Sequence, residues 1–248
     1  MYPVLFEVYG FPISTFGVMV ALGFLAGGSM AARSFERAGL KAQAAWDIVT
    51  LAVVGGIAGA KLWFVVETLV REPDASLRSL LFDFHTCRGG LTWYGGFIGG
   101  AILCLLGAWR YRLPLLSVAN CAAPSLAVGQ ALGRVGCFLV GDDYGVPSDV
   151  PWAVAFPNGL PPTLDRVHPT MLYETLWLLP VGAFLWWRRG RSPFLFGEYL
   201  MLAGIGRLCI EVYRVNPAVI GPFSSAQLVA LACLFSGALG WFRLRARH

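Results

Sequence analysis

The sequence predicts an all-α polytopic membrane protein with about seven transmembrane helices. Of its 248 residues, 57% are apolar and only 13% are charged, and the mean hydropathy is positive. Soluble domains usually carry about 25% charged residues. Apolar windows also recur along the whole chain, separated by short polar segments. A helix needs about 20 residues to cross a bilayer core of about 30 Å. We therefore expect one integral membrane domain over residues 1–248.

Seven apolar windows are predicted to be the spans, in chain order. They cover residues 12–32, 47–68, 91–111, 116–140, 170–187, 194–213 and 225–242. Two long connections, residues 69–90 and 141–168, fall on the same predicted side. The second contains five prolines, which exclude a continuous helix. We expect it to form an arm over that face of the membrane.

The basic residues predict the orientation of these spans. If alternate loops share a side, eleven basic residues lie on one side and five on the other, the remaining three of nineteen being within spans. The larger set is Arg33, Arg37, Lys41, Arg110, Arg112, Arg188, Arg189, Arg191, Arg243, Arg245 and Arg247, and the smaller is Arg71, Arg78, Arg88, Arg166 and Arg214. The positive-inside bias then places the N-terminus outside, the C-terminus inside and the arm at the outer face.

Glycines spaced four residues apart predict close contacts between the helices. The chain has 30 glycines. The pairs are Gly23 with Gly27, Gly55 with Gly59, Gly95 with Gly99, Gly96 with Gly100, and Gly129 with Gly133. Small residues at this spacing let helices approach closely in lipid, where hydrophobicity alone does not drive association.

Composition and missing motifs exclude several functions. The net charge of +5 comes from short basic clusters between apolar windows, which disfavours a nucleic-acid partner. The six cysteines form no C-x-x-C pair, so we expect neither a disulfide framework nor a metal site, and no cofactor. Fingerprints of serine hydrolases, P-loop ATPases, zinc metalloproteases and dinucleotide-binding enzymes are absent.

Ionisable residues inside spans are the main candidates for function, because each costs about 3 kcal/mol on insertion scales. Arg134 lies near the outer end of the fourth window, among glycines that would allow close approach of a ligand. In the sixth window, Arg207, Glu211 and Arg214 are spaced to lie on one helical face, leaving one surplus positive charge. Guanidinium groups present paired donors to phosphate. The alternatives are a snorkelling Arg134 and a purely structural ion-pair network.

Three further polar residues lie in or beside predicted spans. His168 precedes Pro169 at the start of the fifth window, where a neutral imidazole could pass a proton or merely anchor the interface. Lys61 lies mid-span, on a different helix face from Glu67, so each is expected to find its partner elsewhere in the bundle. Tyr94 lies between Trp93 and a glycine pair, as an interfacial aromatic or a substrate-facing hydroxyl.

Three motifs in order resemble those of the bacterial prolipoprotein diacylglyceryl transferases. They are Gly-Arg-x-Gly-x-Phe-x-x-Gly-x-x-x-Gly at 133–145, His-Pro-x-x-Leu-Tyr-Glu at 168–174 and Gly-Arg-x-x-x-Glu-x-x-Arg at 206–214. The resemblance covers most of the chain. It implies an enzyme of the bacterial cytoplasmic (inner) membrane that moves the diacylglyceryl group of phosphatidylglycerol to a lipobox cysteine thiol in the signal peptide of a prolipoprotein. Glycerol phosphate would leave at the outer face, and membrane lipids would be the other partners.

The resemblance also implies roles for particular residues. Arg134 and Arg207 would bind the phosphate and the charge developing on the leaving group. Glu211 would orient them, and residues 142–145 would border the access route for lipid and peptide. With His168 and Tyr94 as proton-transfer candidates, the implied substrate-binding set is Phe16, Lys61, Gly133, Cys137, Asp142, Gly145, Tyr173, Glu174, Glu211 and Arg214.

Four positions depart from the family pattern. Tyr94 replaces a histidine, Cys137 an asparagine, Asp142 a glutamate and Phe16 a tyrosine. A phenol is normally protonated at neutral pH and is a poorer proton acceptor than an imidazole, so His168 is the alternative base. A divergent member with another acceptor or head group, and a non-catalytic lipid binder or transporter, remain alternative interpretations.

Overall fold

The computed structural model describes residues 2–9, 11–72, 76–82 and 92–246, and within them the chain is predominantly helical. The eight helices described are α1 (Thr15–Arg37), α2 (Ala42–Arg71), α3 (Leu77–Phe82), α4 (Trp93–Arg110), α5 (Leu115–Val140), α6 (Thr170–Arg188), α7 (Leu195–Glu211) and α8 (Ser225–Arg245). The strands are β1 (Val4–Val8), β2 (Phe11–Ser14), β3 (Val154–Phe156), β4 (Thr163–Val167), β5 (Ala218–Ile220) and β6 (Phe223–Ser224).

Each predicted window contains one long helix, which confirms a helical membrane protein. Among the described residues, four helices are both long and apolar enough to cross a membrane, namely α1, α2, α5 and α8. The count of seven spans and their orientation stay predictions. Cys87, Arg88 and the Gly89-Gly90 pair lie within residues 83–91, which are outside the described residues.

The prediction of an all-α chain misses three antiparallel hairpins, β1–β2, β3–β4 and β5–β6. The β1–β2 hairpin precedes α1 and the other two lie in connections between helices, and such short strands escape a hydropathy window about 20 residues long. In the third hairpin, Ile220 pairs with Phe223, so Gly221 and Pro222 form the turn. Gly221 has φ +57°, which glycine adopts at little cost. The chain then enters α8, where Ser224 and Gln227 form a reciprocal capping box.

The chain divides into two compact units. The first comprises Met1–Ala38 and Ala119–His248, and the second is Gly39–Val118. The first unit therefore holds α1, most of α5, and α6 to α8. The second holds α2, α3 and α4. The expectation of a single domain stays a prediction.

In the second unit, α2 and α4 pack through their glycines. A methyl group added at Gly59 would collide with the carbonyl oxygen of Gly95 and lie 2.9 Å from the Cα of Gly99. One added at Gly99 would collide with the carbonyl oxygen of Gly55. The obstructing atoms are backbone, which side-chain rotation cannot move. The glycine spacing thus predicted this contact correctly.

In the first unit, glycines also bring α1 against α5. A methyl group at Gly23 would lie 3.2 Å from the carbonyl oxygen of Gly129, and one at Gly27 would lie 3.5 Å from that of Ser125. Gly133 differs, because an added methyl group there meets nothing within 4 Å. The packing prediction therefore fails at Gly133.

The arm at residues 141–168 is ordered and packs on the ends of α5 and α6. Phe156 of β3 and Met171 of α6 are fully buried, together with Cys137 and Val167. Tyr144 stacks on Phe156 with ring centroids 5.4 Å apart and donates a hydrogen bond to the carbonyl oxygen of Pro161. This small apolar core holds residues 141–145 in place beside the helix ends.

Candidate active site

Glu174 lies at the centre of a cluster of charged side chains in the first unit. Pro169 is the N-cap of α6, which begins at Thr170, where the predicted window begins, and Glu174 is therefore in the second helical turn. Glu174 is buried, with 4% of its surface exposed. Oε2 lies 2.7 Å from Nε of Arg134, and Oε1 lies 2.5 Å from Nη1 of Arg207 and 3.3 Å from Nη1 of Arg214. One buried carboxylate thus contacts three guanidinium groups from three parts of the chain.

Glu211 is the second carboxylate, and it also binds polar groups that the sequence analysis missed. Its Oε2 lies 3.0 Å from Nη2 of Arg207 and 3.7 Å from Nε of Arg214, the latter too long for a hydrogen bond. Its Oε1 accepts hydrogen bonds from Ser224 Oγ at 2.5 Å and Asn216 Nδ2 at 2.7 Å. These contacts fix the Glu211 carboxylate in its buried position.

The predicted helical ladder of Arg207, Glu211 and Arg214 is only partly formed. Helix α7 ends at Glu211, and the backbone N–H of Arg214 donates to the Glu211 carbonyl in a turn beyond the helix. Arg214 also forms an isolated β-bridge with Gly145 of the arm. Its side chain reaches the cluster from this turn, because pairing with the arm draws the chain out of the helix.

Asp143 is the third carboxylate, and the sequence analysis placed it only in the access-route segment 142–145, without an ion pair. Its Oδ2 lies 2.6 Å from Nη1 of Arg134, and its Oδ1 lies 2.6 Å from Nη2 of Arg214. Burial raises the pKa of the Asp143 carboxyl, but the hydrogen bond from Arg214 and the charges of both arginines outweigh it and lower the pKa to about 2. These ion pairs therefore stabilise the fold above about pH 4 and are lost as pH falls through about 2.

The charges of this cluster balance. Three guanidinium groups face the three carboxylates of Asp143, Glu174 and Glu211. The expected surplus positive charge is therefore already neutralised, because the sequence analysis did not count Glu174 and Asp143 as counter-ions. We call these six residues the charge cluster: Arg134, Asp143, Glu174, Arg207, Glu211 and Arg214.

The remaining residues of the first motif surround Arg134. Helix α5 is continuous through Gly133, whose exposed side has room for a ligand. The Cys137 Sγ lies 4.0 Å from Nη1 of Arg134. Burial raises the pKa of the neighbouring Asp142 carboxyl, and its Oδ1 accepts no hydrogen bond within the described residues. Gly133, Cys137 and Asp142 thus lie close to Arg134, and their role in binding substrate stays a prediction.

Glycines position two further predicted residues beside the cluster. A methyl group at Gly136 would lie 3.2 Å from Cδ2 of Phe16, so Phe16 packs on this turn of α5. A methyl group at Gly145 would collide with the carbonyl oxygen of Tyr213 and lie 2.8 Å from Cγ2 of Thr170. Gly145 is therefore required where the arm passes between α6 and the turn after α7.

His168 belongs to an aromatic group at the start of α6. Its Nδ1 lies 2.9 Å from the Tyr173 hydroxyl, which accepts a hydrogen bond from Trp152 Nε1 at 2.7 Å. The rings of His168 and Tyr213 are 4.8 Å apart. The backbone carbonyl of His168 accepts a hydrogen bond from the N–H of Gly145, so the chain at His168 is tied to the arm segment that carries Asp143. Trp152 and Tyr213 were not identified from the sequence.

Tyr94 and Lys61 belong to the second unit and are described within it. Tyr94, near the start of α4, is 54% exposed and contacts the ring of Trp93 edge-on at 5.4 Å. The Lys61 ammonium lies 5.1 Å from the ring centroid of Phe64, one turn along α2. Glu67 pairs with Arg71 at 2.7 Å. The expectation that Glu67 would pair outside its own helix was wrong, because an i,i+4 arginine was available.

Two contacts of the charge cluster were missed by sequence reasoning, namely the ion pairs of Asp143 and the hydrogen bond from Ser224 to Glu211. Asp143 stands in the quoted motif, next to Asp142, and an acidic residue following a glycine near an arginine-rich face was a usable signal. The sequence pattern of Ser224 and Gln227 indicates a helix cap before α8, but it does not indicate the hydrogen bond from Ser224 to Glu211. That bond depends on two helices meeting.

Comparison with known proteins shows which family the chain belongs to. The family model for prolipoprotein diacylglyceryl transferase matches residues 3–243. A phosphatidylglycerol–prolipoprotein diacylglyceryl transferase of Clostridium tetani is 30% identical over 96% of this chain and 95% of its own. Proteins of the same name from Gloeobacter violaceus and Synechococcus elongatus are 30% and 31% identical, over 99% and 96% of this chain and 93% and 86% of their own. The chain therefore belongs to the prolipoprotein diacylglyceryl transferase family.

Proposed function

We propose that this protein transfers the diacylglyceryl group of phosphatidylglycerol to a cysteine thiol of a prolipoprotein and releases glycerol phosphate. The observation that carries the proposal is the charge cluster, in which three arginines from α5, α7 and the following turn converge on one buried glutamate. Relatives spanning nearly the whole chain bear the name of this activity. The acceptor cysteine is that of the lipobox at the end of the signal peptide.

The reaction makes two demands on the site. The thiol loses its proton and attacks a glycerol carbon, forming a carbon–sulfur bond. The bond from that carbon to the phosphate oxygen breaks, and glycerol phosphate leaves with the electron pair. A thiolate is the effective nucleophile, and the charge on the leaving phosphate must be stabilised. The arginines meet the second demand, because their paired donors match phosphate oxygens.

The three arginines differ in how far they can reach a ligand. The side chains of Arg134 and Arg207 are 20% and 22% exposed, whereas that of Arg214 is 5% exposed. Arg134 and Arg207 are thus placed to bind the phosphate directly. Glu174 and Glu211 hold both in position, which makes them positioning residues.

His168 is the favoured proton acceptor in this proposal. Its imidazole Nδ1 lies 2.9 Å from the Tyr173 hydroxyl, which accepts a hydrogen bond from Trp152, and its backbone carbonyl accepts a hydrogen bond from Gly145 of the arm. Tyr94 is the second candidate, with its half-exposed hydroxyl near the start of α4. Replacing each residue by phenylalanine and recording the pH profile of transfer would separate the two.

The proposed location is the bacterial cytoplasmic (inner) membrane, with the charge cluster facing outward. The eleven-to-five asymmetry of basic residues supports an outer N-terminus and an inner C-terminus. With seven spans, the arm and the C-terminal end of α5 then lie on the side where signal peptides emerge. Prolipoprotein and phosphatidylglycerol would meet there.

The test is formation of the covalent product. Protein purified in detergent is incubated with phosphatidylglycerol and a lipobox peptide, and the peptide is expected to gain the mass of one diacylglyceryl group. Arg134→Ala and Arg207→Ala should each lower the rate by about 100-fold or more, the usual loss when a donor to a developing anion is removed. Arg71→Ala is the matched control, since Arg71 is exposed and pairs with Glu67 along α2.

The variants need a check on folding, because removing a buried cation leaves Glu174 partly unpaired. Arg134→Lys and Arg207→Lys keep the charge but lose the paired donors, and should also be slow. If folded wild type modifies a different acceptor, the enzyme is a divergent member of its family. If it binds or moves lipid without any adduct, and is indifferent to loss of His168 and Tyr94, it is a lipid binder or transporter.

A further inference from the structure

The three carboxylates of the charge cluster are not equivalent. The side chains of Glu174 and Glu211 are 5% and 2% exposed and project from helices. The Asp143 side chain is 45% exposed and projects from the arm. Glu211 is also held by Ser224 and Asn216. Of the three, Asp143 is the carboxylate that can leave the arginines without unpacking a helix.

Asp143 bridges two arginines in the manner of an anionic ligand. One carboxylate oxygen contacts Arg134 at 2.6 Å, and the other contacts Arg214 at 2.6 Å. Two oxygens of a phosphate group can satisfy the same pair of donors. The Arg214 side chain is only 5% exposed, whereas the side chain of its partner Asp143 is 45% exposed. We infer that Asp143 lies between Arg214 and solvent.

We propose that Asp143 is a displaceable internal counter-ion, which occupies the anion position between Arg134 and Arg214 until the phosphate of the lipid substrate takes that position. The proposal rests on the proposed function and deepens it. Asp143 is then a specificity-determining residue, because a neutral head group cannot replace the two ion pairs that its departure breaks. It also makes Arg214 a third phosphate ligand, uncovered only in the substrate complex.

The geometry allows the side chain to move while the backbone stays. Thr170 Oγ1 donates to the Asp143 carbonyl at 2.8 Å, and the N–H of Gly145 donates to the His168 carbonyl at 2.9 Å. These bonds anchor the backbone at the Asp143 carbonyl and at Gly145, two residues later. Rotation about the Cα–Cβ bond of an exposed aspartate is then enough to vacate the position, and such rotations are fast.

The test removes the charge of Asp143 and measures anion affinity. Asp143 has φ +61°, a conformation that asparagine tolerates well, so Asp143→Asn changes charge without backbone strain. In the full-length protein in detergent, titration calorimetry with glycerol phosphate should show binding roughly tenfold tighter or more, as expected when charged hydrogen bonds no longer have to be exchanged. Asp165→Asn, an exposed change in β4 of the same arm, should leave affinity unchanged.

The outcomes separate this inference from the proposed function. Unchanged or weaker binding by Asp143→Asn would overturn the inference, and weaker binding would identify Asp143 as a residue that merely positions the arginines. Transfer to the lipobox peptide is measured on the same samples. If neither protein makes the adduct while Asp143→Asn still binds glycerol phosphate more tightly, the inference stands and the proposed function fails. If both proteins make the adduct and bind glycerol phosphate with equal affinity, the proposed function stands and the inference fails.

Discussion

At the level of single residues, the main feature is that three arginines are stabilised by ion pairs in a mostly apolar protein. Each guanidinium of the charge cluster has at least two carboxylate partners, and Glu174 is a partner of all three. Burying such charges is costly, so a buried ion pair is weak evidence of stability by itself. Removing one partner is a different matter, because the remaining charges stay buried without compensation.

Glu174→Gln is therefore predicted to destabilise the protein by about 3–5 kcal/mol, the usual cost of breaking a buried ion pair. The measurement is thermal unfolding in detergent, followed by helical circular dichroism. Glu67→Gln is the matched control, since it breaks an exposed pair along α2 and should have a much smaller effect. Equal stability of the two variants would show that the arginines do not depend on Glu174.

Among the elements, helices α2 and α4 show that close helix contact depends on glycines, which have no side chain to hold the backbones apart. The carbonyl oxygens of Gly55 and Gly95 lie where methyl groups on Gly99 and Gly59 would be. Dispersion contacts between backbones replace the hydrophobic drive that lipid cannot supply. Gly56, on the same helix, has ordinary space, with the Gly96 oxygen 3.7 Å from an added methyl group.

Gly59→Ala should push α2 from α4 and cost about 1–3 kcal/mol, as overpacking usually does. Gly56→Ala should be neutral or slightly stabilising, because alanine favours the helix. Thermal unfolding of both variants in the same detergent provides the comparison. A destabilised Gly56→Ala with an unaffected Gly59→Ala would contradict the packing described here.

At the scale of the whole molecule, the orientation follows from the basic residues. Their excess on one side predicts a cytoplasmic C-terminus. A green fluorescent protein fused after His248 should fluoresce in cells, and alkaline phosphatase fused there should be inactive. Reporters at the N-terminus should behave in the opposite way. A periplasmic C-terminus would invert the orientation and place the charge cluster on the inner side.

The sequence by itself determined that this is a helical membrane protein, where its helices lie along the chain, and the glycine contacts between α2 and α4. Hydropathy and residue spacing are local properties, and they can be followed without knowing which elements meet. The motifs also singled out Arg134, Glu174 and Arg207, whose side chains the structure brings into contact.

Only the tertiary structure decided how the charges are balanced. Glu174 meets arginines 40 and 33 positions away along the chain, and Asp143 joins Arg134 to Arg214 across the arm. Such pairings depend on which helix ends pack together, and no local pattern encodes that. The surplus charge expected from one helix thus became a neutral cluster, with a single exposed carboxylate that a phosphate can replace.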